Sequence, residues 1–368
     1  MSPGAGRAAA LREALVDHAA AIVLTDPTNI AWLCGFDGSN AIVVVDAESM
    51  HLCTDGRYAT QAPAQAAAHG ADLEVIVDPD AVGAAAALLG SGPIALEADH
   101  ITWAVQRRLA DAVDVELVAT TGLVAGLRAR KDPDELDRIR RAAAITDAAL
   151  AEVVALAGTG CTESALAAAL DDAIRRHGGS GPAYETIVAS GPNAALPHAR
   201  PTDRIIEPGD LVIIDVGCLY RGYRSDMTRS FVVGEPDDHQ RHLLEAVLAA
   251  QQAGIAAVGP GVSARAIDTA CRSALATVDL ADHFIHGTGH GVGLDIHERP
   301  AINSRTDDVL EVGMVVTVEP GVYLEGSGGV RWEDLLVVTG DGAEVLTSSP
   351  KPFAVAVTLP SDERGPVQ

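Results

Sequence analysis

A chain of 368 residues, 48% of them hydrophobic, exceeds one ordinary domain and has enough apolar content for two sizeable cores. Its formal charge of −25 argues against a nucleic-acid backbone or an anionic membrane surface as partner. The five cysteines, Cys34, Cys53, Cys161, Cys218 and Cys271, are odd in number, widely spaced and free of any C-x-x-C pair. They fit a reducing compartment rather than a disulfide framework or a thiolate metal site.

The first 21 residues are alanine-rich but broken by Arg12, Glu13, Asp17 and His18, so they read as an amphipathic helix and not a signal peptide. No apolar run looks long enough to span a bilayer, and the expected location is the cytoplasm. Apolar runs at 21–24, 41–45, 73–77 and 94–96 predict strands, and 61–69 and 102–112 predict helices. This is an α/β domain over 1–127. The charged segment Arg128-Ala129-Arg130-Lys131-Asp132-Pro133-Asp134-Glu135 marks the boundary. There Asp132 can cap a helix that has Pro133 at its first position and runs through Leu156. A second domain spans 128–360, and 361–368 is expected to be a flexible polar tail.

The second domain carries a weak internal repeat. A Gly-containing segment at 158–163 precedes a helical run to 176, and a similar one at 259–263 precedes another to about 276. Each is followed by an apolar strand that ends in an acid. Asp215 closes the first, with Asp226 eleven residues on; Glu319 closes the second, with Glu333 fourteen residues on. Four acids matched across a repeat would meet at a pseudo-two-fold axis. Buried carboxylates cannot stay ionised at close quarters without cations, and two divalent ions answer that need economically. A single strand-end acid is usually just solvent-facing; four of them in register are not so easily dismissed.

A second signal is the loop Phe284-Ile285-His286-Gly287-Thr288-Gly289-His290-Gly291-Val292-Gly293-Leu294-Asp295-Ile296-His297-Glu298, with three histidines in twelve residues. Glycines flank His290, the best imidazole ligand, while His286 and His297 could line a cleft. The G-x-G here is no dinucleotide fingerprint, because no βαβ unit with a downstream ribose-binding acid surrounds it.

With these residues in place, the chain resembles the pita-bread metallopeptidases: Xaa-Pro aminopeptidase, prolidase and methionine aminopeptidase, with creatinase as a metal-free relative. The first domain looks like the creatinase/prolidase N-terminal domain, through Asp26-Pro27-Thr28-Asn29-Ile30-Ala31-Trp32-Leu33, Thr54-Asp55-Gly56-Arg57-Tyr58 and Gln61-Ala62. Methionine aminopeptidases lack that domain. The resemblance implies an α/β N-terminal domain followed by a pseudo-two-fold catalytic domain, with Asp215, Asp226, His290, Glu319 and Glu333 as metal ligands. Asp226 and Glu333 would bridge two ions, Asp215 would serve one, and His290 with Glu319 the other. A hydroxide between the ions would attack, with Glu319 as proton carrier. His198, His286 and His297 fall on the family's cleft histidines, and Arg331 on an arginine of the proline-specific members.

An oxygen-dominated ligand set with one imidazole favours Mn²⁺ first and Co²⁺ second, with Zn²⁺ left open. Proline-containing peptides are the implied substrates and a homodimer the implied assembly. Some prolidases carry an arginine four residues after the histidine matching His297, where it holds a dipeptide's carboxylate. Here that residue is Ala301, which leans the reading toward an Xaa-Pro aminopeptidase unless Arg299 or Arg305 substitutes. The alternatives are an Xaa-Pro dipeptidase, a non-peptidase hydrolase or a non-catalytic peptide-binding member of the same fold. Five intact ligands weigh against the last.

Overall fold

The computed structural model describes residues 3–358, so the expected tail at 361–368 lies outside the described residues. The chain divides into two compact units at Arg128–Ala129. The first helix, Pro3–Leu15, buries Ala8, Leu11 and Leu15, one stripe of its surface. It stops well short of residue 21, because Ala21 already begins a strand.

Six strands form the sheet of the first unit: β1 (Ala21–Leu24), β2 (Ala41–Asp46), β3 (Met50–Thr54), β4 (Glu74–Val77), β5 (Ile94–Glu97) and β6 (Leu117–Thr120). Their order is β4-β3-β2-β1-β5-β6. The β1–β2 and β2–β3 pairs are antiparallel, whereas β3–β4, β1–β5 and β5–β6 are parallel. Helices Gln61–His69, Ala81–Ala87 and Trp103–Ala112 make the crossovers that parallel pairing requires. The sequence-predicted strands are all present, but β3 and β6 were not foreseen. The pattern of β3, Met-His-Leu-Cys-Thr, mixes polar with apolar residues, and β6 is a short edge strand.

The second unit opens on helix Pro133–Val153, where Asp132 and Glu135 form a reciprocal capping box. A 3₁₀ turn, Val154–Thr159, carries it on. Contrary to the expectation that no apolar run reaches bilayer length, Pro133–Thr159 is long and apolar enough to cross a membrane, and half of its apolar stretch is buried. The burial explains the composition: Ile145, Ala149, Leu150 and Val153 pack against Leu166, Leu170 and Ile174 of helix Glu163–Arg176.

The strands of this unit are β7 (Gly181–Pro182), β8 (Ile187–Ser190), β9 (Leu211–Asp215), β10 (Cys218–Tyr220), β11 (Tyr223–Arg224), β12 (Thr228–Val233), β13 (Gly289–Gly291), β14 (Glu298–Ile302), β15 (Val315–Val318), β16 (Gly321–Leu324), β17 (Gly328–Arg331), β18 (Asp334–Thr339), β19 (Gly342–Val345) and β20 (Ala354–Val355). They build sheets in the orders β20-β12-β9-β8, β14-β13-β15-β18-β19, β11-β10-β7 and β16-β17.

Two halves repeat one plan. Each begins with a helix capped by a hydroxyl, Thr162 before Glu163–Arg176 and Ser263 before Ala264–Ala276. Each capping residue also bridges a residue ahead of the next strand, Thr162 to Ile205 and Ser263 to Val309. Next comes an antiparallel pair, β9 with β12 and β15 with β18, interrupted by a hairpin, β10–β11 or β16–β17. The register sets Asp215 opposite Thr228 and Val318 opposite Asp334. Glu333 therefore falls just before its returning strand, level with Glu319, and Asp226 falls two residues before β12, just past the strand end that carries Asp215. Trp332, between Arg331 and Glu333 in the chain, is fully buried, and its indole N–H donates to the Leu244 carbonyl at 3.1 Å.

Candidate metal centre

Strand ends deliver the acids, and a small-residue strand delivers the imidazole. Strand β13 lies between β14 and β15. A Cβ on Gly289 would stand 2.1 Å from the Thr317 carbonyl oxygen, and one on Gly291 would stand 2.3 Å from that of Arg299. Only glycine fits at either position, so His290 alone on this strand projects a side chain, and it faces the acids.

Single ligand atoms of Asp226, His290 and Glu333 lie within 4.8 Å of one another. His290 Nε2 stands 3.5 Å from Asp226 Oδ2 and 3.4 Å from Glu319 Oε1. Its Nδ1 lies 3.0 Å from the Gly291 carbonyl oxygen and donates to it, which leaves the Nε2 lone pair facing carboxylate oxygens. Burial, reinforced by the charge of His297, lowers the His290 pKa to about 4, so the ring is neutral at neutral pH. A lone pair facing carboxylates calls for a cation between them. Two donors each about 2.1 Å from a shared ion, at about 90–110°, lie about 3.0–3.4 Å apart, close to the spacing found here. The donor set fits a divalent cation.

The acids carry more negative charge than their surroundings neutralise. Burial, followed by the charges of Asp215 and Glu319, raises Asp226 well above the usual carboxylate range. Burial and then Asp226 do the same to Glu333. Burial raises Glu319 to about 8 against the opposing charge of Arg331. The Thr228 hydroxyl donates to Glu333 Oε2 at 2.7 Å, and Thr317 Oγ1 accepts the His290 amide at 3.1 Å and lies 3.4 Å from Glu319 Oε1.

Arg331, at the end of β17, is buried and fully engaged. It donates to Asp215 Oδ2 at 2.7 Å, Tyr323 Oη at 2.8 Å, Thr228 Oγ1 at 3.1 Å and the Pro197 carbonyl at 3.2 Å. Burial opposes its charge, but Tyr323 and the surrounding carboxylates hold it protonated. Tyr323 Oη lies 2.9 Å from His286 Nε2, and His286 Nδ1 lies 2.8 Å from the Gly287 carbonyl. Since Tyr323 accepts from Arg331, it donates to His286, whose pKa burial lowers to about 4. His286 is thus tied into the Arg331–Tyr323 chain.

A cleft of about 520 Å³ gathers all nine candidate residues: His198, Asp215, Asp226, His286, His290, His297, Glu319, Arg331 and Glu333. His198 and His297 are exposed on its walls, and the His297 ring meets that of His290 edge-on at 4.4 Å. Arg299 and Arg305 do not line it; Arg299 points outward and pairs with Asp308 at 2.5 Å.

Tyr184 is among the residues that escaped the sequence reading. The Tyr184 hydroxyl lies 2.5 Å from Asp215 Oδ1 and 2.5 Å from Asp226 Oδ1. Burial and those two carboxylates raise its pKa well above the ordinary phenol value. A tyrosine just ahead of a strand looks like an ordinary β residue, and nothing in its spacing marks it.

The fold and this donor set define a metal-dependent hydrolase. Residues 137–340 match metallopeptidase family M24, and residues 7–130 match the creatinase/prolidase N-terminal domain. The chain belongs to metallopeptidase family M24. It is an enzyme with a creatinase-like first domain and a pita-bread second domain. An uncharacterized peptidase of Bacillus subtilis is 35% identical over 91% of this chain and 95% of its own length. Among solved structures, an Xaa-Pro dipeptidase of Bacillus anthracis is 34% identical with a TM-score of 0.91, over 95% of this chain and 99% of that one. An X-Pro aminopeptidase of Thermotoga maritima is 32% identical with a TM-score of 0.86, over 95% of this chain and 100% of its own.

Proposed function

We propose that the protein is a dinuclear-metal peptidase that hydrolyses the Xaa-Pro bond at the N-terminus of peptides. The observation that carries this is the donor set itself: acids from both halves converge with a neutral imidazole in one cleft. In this reading Asp215, Asp226, His290, Glu319 and Glu333 would hold the two ions. The ions, when bound, supply Lewis acidity and lower the pKa of water. Mn²⁺ is the first choice, Co²⁺ the second, and Zn²⁺ stays open.

The remaining steps belong to the chain's own groups. Glu319, just past the end of β15 and beside the other acids, takes the proton of the attacking water and passes it to the leaving imino nitrogen of proline. His198 and His297, on the cleft walls, donate to the scissile carbonyl oxygen as it gains charge. Arg331 locks Asp215 through its charge-assisted bond. Ala301 leaves the family's dipeptide-specific arginine position empty of charge, which supports action on peptides longer than two residues. The similarity to a solved Xaa-Pro dipeptidase supports the second reading, cleavage of Xaa-Pro dipeptides. The five free cysteines, four of them buried, support a cytoplasmic location.

The test strips the protein with chelator and restores Mn²⁺, Co²⁺ or Zn²⁺ while following Ala-Pro and Ala-Pro-Ala. Turnover should vanish and return with metal, and elemental analysis should find two ions per chain. Glu333→Ala should lose at least one. Full turnover in chelator, or normal metal content in that variant, would sink the reading.

A further inference from the structure

The cleft has an unsolved charge problem. Besides Asp215, Asp226, Glu319 and Glu333, it is lined by Glu185, in a chain of net charge −25. A short peptide brings its own C-terminal carboxylate into this field, and a desolvated carboxylate needs a cationic partner. His286 is held at both ring nitrogens by Tyr323 and the Gly287 carbonyl, and His290 is turned by its Gly291 contact toward the acids. Arg331 is spent on Asp215, Tyr323, Thr228 and Pro197. Arg299 and Arg305 lie off the cleft.

One cation remains. Arg200 lines the cleft two residues after His198, with its side chain 82% exposed. Among the described residues its only partner is Glu185, 64% exposed and reached through Nε at 3.3 Å. Both terminal nitrogens are left over, and they form the edge that grips a carboxylate by two parallel hydrogen bonds. An exposed pair of this kind contributes little, so exchange of its acid is easy.

We propose that Arg200 is the specificity residue that receives the free C-terminal carboxylate of a short peptide substrate, leaving Glu185 to do so. The inference rests on the Xaa-Pro reading above and sharpens it. Arg200 takes the part for which the sequence offered Arg299 and Arg305. Glu185 holds the guanidinium over the cleft between turnovers and weakens the grip by competing for it.

The experiment compares kcat/KM for Ala-Pro and Ala-Pro-Ala, each as free acid and as C-terminal amide, at saturating Mn²⁺. In Arg200→Ala the acid-to-amide ratio should fall about fivefold for at least one length, through KM and not kcat, the scale of about 1 kcal/mol for an exposed charge pair. Arg200→Lys should keep part of the ratio, because charge survives and the two-pronged geometry does not. Glu185→Gln should raise the ratio. Acid and amide losing equally at both lengths, with metal content normal, would overturn the anchor and leave the Xaa-Pro reading standing. A wild type that cleaves none of the four peptides would overturn the Xaa-Pro reading and the anchor with it.

Discussion

Tyr184 places one hydroxyl proton between two carboxylates. Its oxygen is 2.5 Å from both Asp215 and Asp226, yet it can donate to only one of them. The second contact is favourable when the other acid carries the proton, and burial has raised the proton affinity of Asp226. Groups that orient metal ligands in this way are worth about 10- to 100-fold in metal affinity. Tyr184→Phe should therefore weaken Mn²⁺ binding about tenfold, read by titration calorimetry. Unchanged affinity in a folded variant would reduce the phenol to a space-filler. Arg331 differs in kind, since its four bonds bind Asp215 to both halves of the unit, and its loss would disturb packing as well as charge.

At the scale of elements, strand β13 holds His290 by having almost no side chains of its own. Gly289→Ala would drive a methyl to 2.1 Å from the Thr317 carbonyl and push β13 off β15. We expect a stability loss of about 1–3 kcal/mol in urea denaturation, the usual cost of overpacking. Metal content should fall too, because His290 moves with its strand. A variant as stable and as metal-rich as the parent would contradict this packing.

Elements also explain what the sequence could and could not disclose. The acids were legible because carboxylates rarely end apolar strands in matched pairs, and His290 because glycines flank it. Thr228 and Thr317 were not, since threonine is an ordinary strand residue and only the tertiary register turns its hydroxyl toward a ligand. Arg299 and Arg305 drew notice by proximity to His297 along the chain. Alternation along β14 instead leaves Arg299 exposed and paired with Asp308, while Glu298 on the same strand is buried against Lys131. Arg200 went unnoticed although His198, two residues earlier, was picked out, because the sequence does not say which side chains of that loop turn toward the cleft.

At the scale of the whole molecule, the acid cluster makes stability depend on pH and on ions together. In the metal-free protein Glu319 has a folded pKa of about 8, above its ordinary 4.5, and Asp226 and Glu333 are raised as well. A raised acid contributes stability below its unfolded pKa and loses it as pH climbs through the folded value. His286 and His290, lowered to about 4 from 6.5, act at the other end: their contribution is complete above 6.5 and fades as pH falls toward 4. Between pH 6.5 and 8 the acids alone vary, at about 1.4 kcal/mol per pH unit for each one still protonated. Scanning calorimetry in chelator should show Tm falling across that window. With Mn²⁺ the fall should shrink, because the ion replaces the proton and expels it on binding. A chelated Tm that is flat or rising from pH 6.5 to 8 would contradict this account.

The contacts that close the centre also span great lengths of chain. Thr228 and Glu333 are 105 residues apart, and Arg229, which donates to the Glu333 carbonyl, reaches Ser349 across 120. The entropy of closing such loops is spent before any ligand pair forms, and burial of the second unit's apolar residues has to offset it. No local fragment can hold the ion. Ion capture during refolding thus reports these long-range closures of the second unit, so a metal-sensitive dye added to the refolding buffer follows their formation.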